Sequence, residues 1–203
     1  RLAERAVDGG FLRAPVAPAR PGAGGARLGN APGCVGHANG SDWNGTAPPS
    51  HPDDVRALSA LYRSTGGSGW TRNACWLNLS VPVCWWDQVA CKDGRVQQLR
   101  LASNNLVGEI DDAALEGLDG LEILQVGFNP ELTGAIPRSA ASLPRLKHLY
   151  AWNASLKAVA ALPPSLDQLD LADNALEAPL PDALADLANV TFVDASGNPG
   201  ACP

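Results

Sequence analysis

From Gly94 onward the apolar residues fall into a repeating frame, Leu-x-x-Leu-x-Leu-x-x-Asn. Its copies are Val96, Leu99, Leu101 and Asn104; Leu121, Leu124, Val126 and Asn129; Leu166, Leu169, Leu171 and Asn174; and Val190, Val193, Ala195 and Asn198. The copies begin 25, 45 and 24 residues apart, and the long interval hides a degenerate unit, Leu146, Leu149 and Ala151, with Ala154 where Asn is expected. Two apolar residues two positions apart point the same way from a short strand, and an Asn side chain can satisfy backbone groups at the turn that follows. One such coil cannot bury its apolar face alone, so its neighbours must stack upon it.

The pattern therefore predicts an α/β leucine-rich-repeat solenoid, a short horseshoe of about 4.5 to 5 units over residues 96–203 whose third unit is irregular. Residues 51–95 read as an N-terminal cap. Ser50, His51, Pro52, Asp53 and Asp54 open a helix, Val55, Leu58, Leu61 and Tyr62 recur at helical spacing, and Gly66-Gly67 ends it. A loop dense in Trp and Cys follows, from Trp70 to Cys91. Residues 1–50 are rich in Ala, Gly, Pro and Arg without helical or strand period, and read as an extended tail, either solvated or lying along a partner.

Charge narrows the function classes. The 21 acidic residues outnumber 15 Lys and Arg, which argues against a nucleic-acid protein built on a basic surface. No run of eighteen apolar residues is present, so no membrane-spanning helix is expected. Cys34, Cys75, Cys84, Cys91 and Cys202 include no Cys-x-x-Cys pair and read as disulfide staples of an oxidising compartment. Five Asn-x-Ser/Thr sequons, at Asn39, Asn44, Asn78, Asn153 and Asn189, exceed the one or so that chance would give and favour a secretory route. Asn39, Asn44 and Asn78 are the foremost glycan sites, Asn189 abuts a strand, and a glycan on Asn153 would crowd the concave face. The chain begins at Arg1 and contains no Met, which fits removal of a leader or a fragment of a longer chain.

The segments after the Asn, Leu132-Thr133-Gly134-Ala135-Ile136-Pro137 above all, resemble the plant-type leucine-rich repeat of receptor-kinase ectodomains and polygalacturonase-inhibiting proteins. The cap agrees: Cys84-x-Trp86-x-Gln88-Val89-x-Cys91 is similar to that family's Cys-x-Trp-x-Gly-Val-x-Cys, with Gln88 in place of Gly. Ala57 to Tyr62 and Gly69-Trp70 resemble the cap helix and Trp of related algal repeat proteins, and Asn198 to Cys202 the family's closing stretch. The resemblance implies a parallel sheet on the concave side and a cap disulfide between Cys84 and Cys91. Cys34 with Cys75 is the second expected bond, which leaves Cys202 over.

Catalysis finds little support. His37, His51 and His148 stand apart from any nucleophile motif, and Thr65-Gly66-Gly67-Ser68-Gly69 lacks the Lys of a phosphate loop and follows a helix. Asp53-Asp54 and Asp111-Asp112 lack the spaced oxygen ligands of a calcium loop, so neither metal nor cofactor is expected. Projecting the strands instead places Phe128, His148, Tyr150, Trp152, Asp170, Asp173, Phe192 and Asp194 on or beside the concave face. The aromatics are exposed anchors for protein or cell-wall glycan, or else the irregular unit turns Tyr150 or Trp152 into its core. Two functions compete: a secreted, non-enzymatic interaction module working through that face, and a structural subunit of a larger assembly held by residues 1–50 and the solenoid flank.

Overall fold

The computed structural model describes residues 49–180, Leu184, Leu187 and residues 189–200. It bears out the solenoid. Helix α1 (Pro52–Ser64) leads into a Trp-rich loop, and β1 (Val89–Lys92) then pairs antiparallel with β2 (Arg95–Arg100). From β2 the concave sheet runs in parallel through β4 (Ile123–Gln125), β7 (His148–Tyr150), β9 (Gln168–Asp170) and β10 (Phe192–Asp194). Leu99, Leu124, Leu149, Leu169 and Val193 stand in register at its centre. The other side carries two short parallel pairs, β3 (Val107–Glu109) with β5 (Glu131–Thr133), and β6 (Ala135–Ile136) with β8 (Ala158–Val159).

Between the two sides run the repeat leucines, buried as one continuous core from Leu58 in α1 to Leu187. Leu149 and Ala151 of the irregular unit point inward like their counterparts, so the frame survives there. That coil is the shortest, twenty residues from Leu149 to Leu169. Its neighbours spend residues on 3₁₀ turns at Asp112–Ala114 and Arg138–Ser142, whereas Leu162-Pro163-Pro164 crosses directly.

The Asn ladder explains why one rung can be missing. Asn129 Nδ2 donates to the carbonyls of Leu101, Val126 and Gly127, while Oδ1 accepts from Asn104 N and Leu106 N. Asn174 Nδ2 likewise donates to Ala151 O in the preceding coil and to Leu171 O in its own. Each Asn thus serves its own coil and the one before it. Where Ala154 stands, Val126 O is reached from Asn129 and Ala151 O from Asn174, so these buried acceptors stay paired.

The cap is closed by aromatic packing and covalent bonds. Tyr62, Trp70, Trp76 and Trp86 form a chain of rings 4.8 to 5.8 Å apart at their centroids. Trp70 Nε1 donates to Thr65 O and Trp76 Nε1 to Asp87 O, so these indoles sink without an unmet donor. Cys84 and Cys91 are disulfide-bonded, as expected. Cys75 is also disulfide-bonded; the expected partner Cys34 lies outside the described residues, as do Cys202, His37, Asn39, Asn44 and the whole of the 1–48 segment. Gln88 has φ +67°, which explains the glycine that the related motif carries there: a left-handed non-glycine residue costs roughly 1 kcal/mol.

The polar residues at the helix start are tied into the fold. Ser50 does not cap α1: its Oγ accepts from Val83 N in the cap loop, and His51 Nδ1 takes the capping place opposite Asp53 N. The acidic pairs are structural. Asp53 pairs with Arg56, Asp54 is fully buried against Arg95, Asp111 caps Ala114 N, and Asp112 accepts from Ser139 N.

Candidate functional site on the concave face

Short strands with apolar residues inward leave alternate side chains outward, and the register aligns these into rows. One row is Gln98, Ile123, His148, Gln168 and Phe192; the next is Arg100, Gln125, Tyr150, Asp170 and Asp194. Beyond the strand ends, Ser103 N, Phe128 N, Asn153 N and Asp173 N each donate to the next coil, to Gly127, Trp152, Ala172 and Ser196 O. These four donors all have φ between +51° and +55° and precede the ladder position. The repeat thus imposes a left-handed residue there, whatever side chain the sequence supplies.

The expected aromatic cluster forms. Phe128 meets Trp152 edge-on at 5.5 Å, Trp152 meets Tyr150 at 6.1 Å, and Tyr150 meets His148 at 5.8 Å. Exposure separates them. Trp152 is only 3% exposed and is not an open anchor, yet it has not turned into the leucine core either. Its indole lies over Gly127, whose missing Cβ would stand 2.8 Å from Trp152 Cδ2, and the corresponding residue of the next coil is the small Ala172. A large ring between two small residues of a row is covered without leaving the concave side. Tyr150 and His148 remain half-buried, and Phe128 is 43% exposed.

The polar partners are fixed by neighbouring coils. The Tyr150 hydroxyl donates to Gln168 Oε1 through a short bond. His148 Nε2 lies 3.6 Å from Asp167 Oδ2, whose other oxygen accepts from Thr191 Oγ1 at 2.5 Å. The carboxylates of Asp170 and Asp194 are partly occupied, since Asp170 Oδ1 accepts from Ala172 N and Asp194 Oδ1 from Ser196 N. Asp170 is buried, whereas Asp173 is exposed at the rim beside Gly197. Phe192 is half-buried on the last strand, in the same row as His148. At the opposite end Arg100 is exposed, its guanidinium forked on Gln98 Oε1. The face therefore runs from a cation through aromatics to carboxylates. Among the described residues no group of His, Cys, Asp and Glu is arranged to hold a metal.

Asp167 and Thr191 escaped the strand projection because they stand just before their strands. Gln97, Glu122 and Lys147 occupy the same offset, and they too are linked: Gln97 Nε2 donates to Glu122 Oε1, with Lys147 Nζ 3.4 Å from Glu122 Oε2. The recurring offset was the available signal.

Burial, then the nearby Asp167 and Asp170, raise the Tyr150 pKa above its ordinary value near 10. A raised folded pKa contributes stability below the unfolded pKa and loses it as pH climbs through the folded one. From about pH 10 upward the wild type should lose stability more steeply than Tyr150→Phe. Urea titrations at several alkaline pH values measure this, and parallel slopes would show that the phenol is not responsible.

A solenoid of stacked leucine coils closed by an α-helical, disulfide-bonded cap defines a leucine-rich-repeat protein similar in structure to plant receptor-kinase ectodomains. The family model for the leucine rich repeat matches residues 94–153. The structure of Pollen Receptor Kinase 3 is 25% identical, with a TM-score of 0.58 over 70% of this chain and 71% of that one. The BIR3–SERK2 complex from Arabidopsis thaliana is 28% identical, with a TM-score of 0.58 over 71% of this chain and 81% of that one. The BIR2 ectodomain from the same plant shares the fold at 24% identity and a TM-score of 0.56, over 75% of this chain and 95% of that one.

Proposed function

We propose that the chain is a non-enzymatic, extracytoplasmic module that binds a polypeptide through the concave face around Tyr150. The observation that carries this reading is the His148–Tyr150 platform. Two half-buried rings stand outward from the strands, Tyr150 hydrogen-bonded to Gln168 and His148 beside Asp167, on a face that no helix of the described residues crosses. Rings with an apolar body and a tethered polar tip lose little freedom on binding and are enriched among interface hot spots. Arg100 at one end and Asp173 and Asp194 at the other supply opposite charges for register. Support also comes from the 28% identical structure, which is a complex between two proteins, and from the cap disulfides, which suit an oxidising compartment.

Tyr150→Ala should weaken binding of the native partner by about 1 to 3 kcal/mol, and His148→Ala and Phe192→Ala by less. Calorimetry on a partner recovered from secreting cells reads the affinity, alongside the unfolding midpoint of each variant. Unchanged affinity at unchanged midpoint would count against the face. Loss of the partner on deleting residues 1–50 would then favour the assembly-subunit reading, and capture of a polysaccharide by the same residues would move the ligand class to cell-wall glycan.

A further inference from the structure

At the rim of the concave face an exposed ring stands beside a sequon. Phe128 and Asn153 fill the same left-handed place in successive coils, with φ of +54° and +51°. Phe128 N donates to Trp152 O at 2.9 Å and Asn153 N to Ala172 O at 2.8 Å, which makes the two residues lateral neighbours about 5 Å apart along the stack. Phenylalanine is disfavoured here twice, by the backbone and by the 43% of its surface left exposed among the described residues. Its contact with Trp152 is edge-on, with an interplanar angle of 82°, and uses only part of the ring. Asn153, exposed, opens the sequence Asn153-Ala154-Ser155.

We propose that Asn153 carries an N-linked glycan whose first N-acetylglucosamine rests on the Phe128 ring. The donor is an oligosaccharide carried on a lipid pyrophosphate. Asn153 Nδ2 bonds to C1 of the terminal N-acetylglucosamine, the C1–O bond to phosphate breaks, the lipid pyrophosphate leaves with that electron pair, and the amide proton passes to a base of the transferring enzyme. A β-linked pyranose presents the axial C–H groups of C1, C3 and C5 on one side, an apolar surface with positive edges that suits the negative face of an aromatic ring. In the folded coil Ser155 Oγ donates to Pro130 O at 2.7 Å, so the sequon hydroxyl is engaged and transfer precedes closure of this coil. The inference does not rest on the peptide-binding reading, since the sugar stands at the rim and His148, Tyr150 and Phe192 lie on the strands.

The test uses the full chain secreted from eukaryotic cells. Glycopeptide mass spectrometry should find Asn153 occupied, and an unmodified peptide spanning it would overturn the proposal. Protein trimmed to single N-acetylglucosamines should melt on the order of 2 to 4 °C above protein stripped by an amidase. That gap should shrink in Phe128→Ala and persist in Phe128→Tyr, while sugars on other sequons contribute alike to all three and cancel. An equal gap in Phe128→Ala would overturn the ring contact. Should that variant fail to fold, carbon-13-labelled sugar on the trimmed wild type decides the matter. Upfield-shifted C–H signals support the stack, and their absence removes it.

Discussion

Trp152→Ala is expected to lower the stability of the solenoid by about 3 to 5 kcal/mol, the range for truncating a buried aromatic. The sequence left this ring as either an open anchor or part of the core, and it is neither. It is buried on the concave side, laid over Gly127 and bracketed by Phe128 and Tyr150. Removing it would also strip support from Tyr150, so binding and stability should fall together. Gly127→Ala supplies the complementary test. The new methyl would lie 2.8 Å from the indole and 2.9 Å from Trp152 O, so ring or coil must shift, at a cost of about 1 to 3 kcal/mol. Chemical unfolding with Trp fluorescence reads both. A loss below about 1 kcal/mol for Trp152→Ala would mean that the ring adds little to the stack.

Asp54→Ala is the second large effect, expected to cost about 3 kcal/mol. Asp54 is fully buried; its Oδ1 accepts from Arg95 Nη2 at 2.9 Å and its Oδ2 from Val96 N at 2.9 Å, joining α1 to the first repeat strand. The hydrogen bond to Asp54 raises the Arg95 pKa further above its ordinary value, against the opposing effect of burial. Without the carboxylate, a buried N–H and a guanidinium would lose their acceptor. The estimate sits at the low end of the range for broken buried pairs because Arg95 keeps some water and also donates to Gly117 O at 2.8 Å. Asp54→Asn should cost less, since an amide oxygen can still serve Val96 N. Thermal and urea unfolding of both variants would measure the difference; equal losses would show that the amide oxygen restores nothing, and a wild-type midpoint for Asp54→Asn would show that the charge is immaterial.

The repeat frame made the fold legible because its constraint is local: each Leu-x-Leu pair needs only a short strand, and each Asn only the turn three residues on. The same locality hid the cross-coil terms. Nothing within residues 51–55 distinguishes the half-exposed Asp53 from the buried Asp54. The difference arises when Arg95, forty-one residues later, is stacked against α1. The dispensability of Asn at position 154 is likewise a property of two flanking coils and not of its own.

By itself, then, the sequence determined the solenoid, the inward leucines and which side chains share the concave rows, all set by periods of two residues along a strand and of about 24 along the chain, while the disulfide between Cys84 and Cys91 was implied by the resemblance of the cap motif. Only the tertiary structure decided which of those side chains meet solvent. Exposure on a stacked sheet depends on the size of the neighbour one coil away, so Gly127 and Ala172 bury Trp152 while the left-handed turn lifts Phe128 into view.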